Sequence, residues 1–310
     1  MQIKQNSDGP IMHLVKGVIT SVGLKPLALK LYNVYRKVIY SVRSRFRTVV
    51  ADTEVTFVTE DDHSKRFFHY RYKNGQMHEP PVSRELAERV RSAKVFADVG
   101  AHLGYYSCIA GVINPNLKLF LFEMNRNLIS LIERNLMVNG LNDAEIVNQA
   151  VSDGAKTIGY TAGSTDAGLS MRAPGEDSDE ITAETVSLDG YFAPRDVMPD
   201  VIKIDVQGAE MEVLRGAKRI IREHCPVVFL EVHPKLLGAF GTTPDDVYRF
   251  LIEHGYDQLY LINEHRRDLG RLLPFDAERG GPPHTHMLLC AGSTQTEKRP
   301  SQPDRANREQ

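Results

Sequence analysis

The chain has 310 residues, of which 42% are apolar and 25% charged. That apolar share is enough to build a core, which rules out a wholly disordered or collagen-like chain. With 38 Lys and Arg against 40 Asp and Glu the net charge is −2, and so balanced a chain carries no global electrostatic case for a nucleic-acid partner.

The N-terminus is locally lopsided. From Gly9 to Ala51 there is no acid, while eight cations occur between Lys16 and Arg47. Apolar residues such as Leu14, Val18, Leu31 and Val34 recur at helical steps, and Gly17, Gly23 and Pro26 divide the stretch into two short helices. Residues 1–50 are therefore expected to form a basic amphipathic helical arm. Its segment 11–47 either makes peripheral contact with an anionic membrane, docks on a partner, or packs on the body of the protein. Residues 51–94 follow as a hairpin and a helix. Val55, Phe57 and Phe67 alternate as in strands around Glu60-Asp61-Asp62, predicting a hairpin over 54–72, and Ser83–Ser92 reads as a helix.

Residues 95–291 read as one α/β domain. Strands are expected at Val95–Gly100, Lys118–Glu123, Ile146–Val151, Val201–Val206, Val227–Val232, Asp257–Ile262 and Thr285–Ala291. Helical patterns lie at Tyr105–Val112, Asn125–Asn139, Ala209–Arg222 and Thr243–His254. Strands apolar on both faces that alternate with helices imply a mostly parallel sheet covered on both sides. Residues 292–310 hold one apolar side chain, Ala306, and read as a disordered tail.

Three cysteines, Cys108, Cys225 and Cys290, lie far apart with no CxxC pair. They argue against a disulfide framework and fit a reducing, cytoplasmic compartment, with the inner membrane face as the place where the basic arm would act. No apolar run reaches the roughly 18 residues that span a bilayer. The polar start Met1–Asp8 does not read as a signal peptide.

In such sheets ligands bind at the carboxyl ends of the strands. The first turn is Asp98-Val99-Gly100-Ala101-His102-Leu103-Gly104. Gly100 and Gly104 let the backbone turn tightly and bring N–H groups towards a ligand, with the His102 loop against it. Asp98 would repel a pyrophosphate and suits a cationic ligand. Glu123 ends the second strand, where an acid accepts hydrogen bonds from both hydroxyls of a ribose; Asn125 follows it. Ser152 and Asp153 close the third strand. Asp153 either meets an adenine amino group or is an ordinary turn residue. Asp205, atop the fourth strand, faces the same crevice as Asp98. It is a candidate for placing the donor and for accepting a proton. His233, after the fifth strand, is the other candidate base, since its ordinary pKa suits proton transfer near neutrality. Glu210 is either a further site acid or a first-turn acid favoured by the helix dipole. His284 and His286 do not make a metal pair, because alternate strand residues face opposite ways. No metal site is read, although Asp205 and Glu231 end adjacent strands and leave metal-assisted deprotonation open.

The strings DVGAHLGYYS (Asp98–Ser107), FEMNRN (Phe122–Asn127), NQAVSD (Asn148–Asp153), IKIDVQGAEMEVLRGA (Ile202–Ala217) and LEVHP (Leu230–Pro234) resemble, in order and spacing, FkbM-type methyltransferases. The resemblance covers about Val95–Asn263. It implies a doubly wound, Rossmann-like sheet of seven strands in the order 3-2-1-4-5-7-6, with strand 7 antiparallel. It also implies S-adenosyl-L-methionine as cofactor and O-methylation of a hydroxyl on a sugar, glycan, lipid-linked or natural-product acceptor. Met124 stands where such sequences usually carry proline, and Gln207 where they commonly carry Glu. Two rivals remain at this stage. One is a non-catalytic nucleoside-binding module tethered by the basic arm. The other is an NAD-dependent oxidoreductase, which would want the G-x-G-x-x-G turn that this chain lacks.

Overall fold

The structure, a computed structural model, describes residues 43–72, 76–160, 181–262 and 272–292. The expected helical arm up to residue 42 and the expected tail from residue 293 lie outside these residues. The described part opens with strands β1 (Arg45–Val50) and β2 (Thr53–Val58), paired antiparallel. Their inward residues Phe46, Val50, Val55 and Phe57 are buried. Ala51 and Asp52 join them with φ of 47° and 64°, the double left-handed turn whose twist matches a two-residue hairpin.

This hairpin corrects two sequence expectations. Residues 45–50 are strand rather than the end of a helical arm, and the hairpin lies over 45–58 rather than 54–72. The acids expected to form its turn do something else: the Asp61 side chain accepts from Ser64 N at 2.8 Å and caps the helical turn Asp62–Lys65. That turn continues as a wider helical turn, Arg66–Arg71. Aspartate favours helix caps as strongly as it favours turns. Helix α1 (Pro80–Val90) follows, with proline in its first turn where the missing N–H costs nothing.

The main domain alternates strands and helices: β3 (Val95–Val99), α2 (Tyr105–Ile113), β4 (Lys118–Phe122), α3 (Arg126–Val138) and β5 (Glu145–Val147). The expected third strand is interrupted. It ends at Val147, and β6 (Ala150–Val151) leaves to pair with β8 (Ile181–Val186), which also carries β7 (Thr157–Tyr160). Then come α4 (Leu188–Phe192), β9 (Val201–Ile204), α5 (Glu210–Gly216), α6 (Lys218–His224) and β10 (Val227–Val232). The chain closes with α7 (Pro244–Glu253), β11 (Gln258–Ile262), β12 (Leu272–Pro274) and β13 (His286–Ala291).

The main sheet runs β12-β11-β13-β10-β9-β3-β4-β5. Strands β10, β9, β3, β4 and β5 are parallel, whereas β13 lies antiparallel between β10 and β11. The short edge strand β12 had no sequence signal. Strand order reverses between β3 and β9, the place where such sheets open a crevice. One core lies under the hairpin, α1, α2 and α3, and a second lies under α4 to α7. The three cysteines are free. Among the described residues no helix is long and apolar enough to cross a membrane.

Candidate active site

A cavity of about 380 Å³ opens at the carboxyl ends of β3, β4, β9 and β10. Its floor depends on Gly100. A Cβ there would stand 2.0 Å from the Asp205 carbonyl oxygen, so only glycine lets the turns after β3 and β9 touch. Its φ of 79° also belongs to the left-handed region.

Glu123 forms one end of the cavity. Its two carboxylate oxygens accept from His102 N and Asn125 N, both at 2.8 Å. Burial pushes its pKa up to about 7, against the lowering effect of those two amides. A carboxylate offers about four lone-pair directions, so two stay open to a ligand. Asn148 donates to the Glu123 and Met124 carbonyls at 2.8 and 3.1 Å. The loop is thereby fixed without proline at position 124. Beyond Glu123 the wall is largely apolar, with Met124, Leu128, Ala150 and Val151.

The other end gathers Asp205, Glu231 and His233, with one ligand-type atom of each within 4.8 Å of the others. His233 is held by a residue that the sequence left ambiguous. Glu210 is fully buried, and its Oε1 meets His233 Nδ1 at 2.6 Å while accepting from Gly208 N at 3.0 Å. The acceptor carboxylate assigns the proton to Nδ1. Nε2 then points at Asp205 Oδ1, 3.9 Å away, and Glu231 Oε1, 3.7 Å away. Lys203, buried beneath, places Nζ 3.4 Å from Asp205 Oδ2. Burial alone would raise the Asp205 pKa, but Lys203 and His233 hold it below the ordinary carboxylate range. Burial, then the charges of Asp205 and Glu79, push Glu231 upwards.

Of the candidate catalytic and donor-binding residues of the sequence, Gly100, His102, Glu123, Asp205 and His233 line the cavity, and Glu231, Met124 and Gln207 line it with them. The others do not. Asp98 is 1% exposed and stands behind the wall; its Oδ2 accepts from Ser107 at 2.7 Å and its Oδ1 has no partner. Gly104 carries the left-handed cap of α2, and Asn125 caps α3 by accepting from Asn127 N. Ser152 donates to Glu212 at 2.5 Å, and Asp153 pairs with Lys156 at 3.2 Å. His102 is no base here. Burial and the neighbouring His63 push its ring down to about 3, and it meets His63 Nε2 at 2.8 Å.

Phe67, Arg71, His78, Glu79, Tyr105 and Tyr106 complete the wall. Four of the six come from the segment before the sheet, which no motif marked; Tyr105 and Tyr106 lie in the string Asp98–Ser107 but are not read there as site residues. Lys203 was legible: it shares a strand face with Asp205 two residues on, and a lysine inside an apolar strand needs an acid beside it.

A doubly wound sheet with an acid after its second strand, and the Asp205–Glu231–His233 cluster in the same cavity, is the arrangement expected of a transferase that uses a nucleoside donor. Residues 98–257 match the family described as Methyltransferase FkbM domain. The chain belongs to that family. It is a methyltransferase, and its methyl donor is S-adenosylmethionine. It is 27% identical over 176 residues, 56% of this chain and 68% of the other, to hexuronic acid methyltransferase AglP of Haloferax volcanii. Among solved structures it is similar to a methyltransferase FkbM from Methylobacillus flagellatus KT, with 17% identity and a TM-score of 0.41. That match covers 64% of this chain but spans only 44% of the other protein. It is also similar to an S-adenosylmethionine-dependent O-methyltransferase from Thermotoga maritima, with 13% identity, 78% and 75% coverage and a TM-score of 0.39. Neither the non-catalytic module nor the oxidoreductase is favoured by these findings. The residues present fit the donor: the open lone pairs of Glu123 suit two ribose hydroxyls, and the apolar wall beyond suits a flat base.

Proposed function

We propose that the chain transfers the methyl group of S-adenosylmethionine to a hydroxyl of an acidic sugar. The observation that carries this reading is the placing of Glu123 and the Asp205–Glu231–His233 cluster at opposite ends of one cavity. Glu123 would hold the ribose, and the backbone turn at Gly100–His102 would lie along the donor. The donor supplies a methyl group already activated by its positive sulfur. The protein's share is to align the acceptor oxygen and exclude water. The cluster takes the hydroxyl proton.

The acceptor end supports a sugar. Phe67, Tyr105, Tyr106, His78 and Glu79 line it, a mix of aromatic and polar groups of the kinds that meet a sugar's apolar face and its hydroxyls. Arg71, at the mouth, lies 6.0 Å from the Phe67 ring and 5.9 Å from the Tyr72 ring. A guanidinium there matches the carboxylate of a uronic acid. The name of the Haloferax volcanii relative, a hexuronic acid methyltransferase, agrees with such an acceptor. Free thiols agree with work in the cytoplasm.

The test is transfer of labelled methyl from S-adenosylmethionine to oligosaccharides ending in glucuronic acid, and to the same oligosaccharides ending in glucose. Transfer to the uronate, at least tenfold above the neutral sugar, is expected. His233→Ala should lower that turnover while keeping donor affinity. No transfer to any hydroxylated sugar would remove the acceptor assignment.

A further inference from the structure

We propose that Asp205 Oδ1, Glu231 Oε1 and His233 Nε2 form a binding site for one divalent cation, of the manganese type, at the acceptor end of the cavity. The proposal rests on the methyltransferase reading only for what the cation would do, not for whether it binds.

The three atoms come from two neighbouring strand exits, those of β9 and β10. Asp205 follows β9, Glu231 lies at the end of β10, and His233 lies just beyond it. His233 Nε2 stands 3.7 Å from Glu231 Oε1 and 3.9 Å from Asp205 Oδ1. Neither is a hydrogen-bond distance. Metal bonds of about 2.0–2.2 Å put neighbouring ligands roughly 3–3.5 Å apart, so a modest inward shift closes the set.

A second observation points to a ligand at the same place. His233 is 5% exposed, and its Nε2 makes no hydrogen bond although it is aimed between two carboxylates. Its Nδ1 is anchored by Glu210, itself wholly buried. A buried carboxylate on the far nitrogen of an imidazole is the arrangement that orients a metal-binding histidine.

Charge adds to the case. Asp205, Asp98, Glu231 and Glu79 all act on the one buried ammonium of Lys203. Glu231 and Asp205 also share a side-chain hydrogen bond, and the Gln207 amide donates to Asp205 Oδ1 at 2.9 Å, so a bound cation would take the place of the proton between the two carboxylates. Two carboxylates and one imidazole form a mixed oxygen and nitrogen set, which suits manganese better than magnesium alone. An acceptor hydroxyl on such a cation would lose its proton more readily.

The experiment is titration of the EDTA-treated full chain, saturated with S-adenosylhomocysteine, with manganese chloride, following loss of the free-ion signal by electron paramagnetic resonance. One ion per chain is expected. Glu231→Gln and His233→Ala should each abolish it, and Glu210→Gln should weaken it by about 10–100-fold. Binding of S-adenosylhomocysteine by each variant shows that it is folded. Saturable S-adenosylhomocysteine binding with no manganese binding by the wild type would overturn the site and leave the methyltransferase reading standing. Manganese binding unchanged in Glu231→Gln would overturn the assignment of the ligands. Manganese binding without S-adenosylhomocysteine binding would uphold the site and count against the donor reading instead.

Discussion

Glu123 shows how one residue's surroundings set a measurable property. In the proposed donor site its carboxylate would need its charge to accept from ribose hydroxyls, yet burial pushes its pKa up to about 7. Only the ionised form is the good acceptor, so affinity for S-adenosylhomocysteine should fall as pH drops through 7, by up to tenfold per unit. Calorimetric titrations between pH 5.5 and 8.5 check this, and a flat profile would show that Glu123 does not hold the donor. Strand-end position made Glu123 and Asp205 readable in the sequence, because the register that ends an apolar run also sets which side chain meets the crevice. Asp98 has the same signature but turns behind the wall, and sequence position does not report that rotation. Glu210 was ambiguous for a similar reason. A first-turn acid is dipole-favoured in any helix, and only the approach of the β10 exit gives it His233 to hold.

Among the elements, the N-terminal hairpin is one that sequence placed wrongly, and the physical cause is specific. A left-handed two-residue turn favours Asn-Gly or Asp-Gly, whereas this chain uses Ala51-Asp52 and leaves no such mark. What pins the hairpin is distant in sequence. Asn135 of α3 and Asn139, which caps its C-terminus, accept from Val58 N at 2.7 Å and Thr56 N at 3.0 Å, and Asn135 also donates to Leu103 O at 2.8 Å. Asn135 is wholly buried, so Asn135→Ala leaves buried groups unpaired. It should cost about 1–3 kcal/mol in urea unfolding. An unchanged midpoint would show that the hairpin is held by its aromatic contacts alone.

The same layer carries a pH dependence. His69 meets Thr59 Oγ1 at 2.9 Å, and burial, with Arg43 and Lys65, pushes its ring down to about 4. The unfolded chain therefore binds the proton first. Stability from neutral His69 is present above about pH 6.5 and is lost as pH falls towards 4. Glu123 acts in the opposite sense over an overlapping range, so the comparison must be between variants. The fall in melting temperature from pH 7.5 to pH 5 should be smaller in His69→Asn than in the wild type. An equal fall would remove His69 as a contributor.

For the whole molecule, the alternation of two-sided apolar strands with helices was enough to read a covered, mostly parallel sheet. That pattern is a consequence of burial on both faces, and it survives in any register. The break of the third strand after Val147, the small sheet β6-β8-β7 and the edge strand β12 depend on pairing with segments far along the chain. The wall of Phe67, Arg71, His78 and Glu79 depends on the N-terminal layer closing over the strand ends, and no local pattern encodes that closure.

The central claim is that this cavity binds S-adenosylmethionine through Glu123. It is tested most directly by isothermal titration of the full chain with S-adenosylhomocysteine, alongside Glu123→Ala. The account predicts saturable, micromolar binding at pH 8 with one site per chain, weakened by about 1.5–3 kcal/mol in the variant, the range for a hydrogen bond to a charged group. Binding of equal strength in Glu123→Ala, or none by a folded wild-type chain at millimolar ligand, would contradict it.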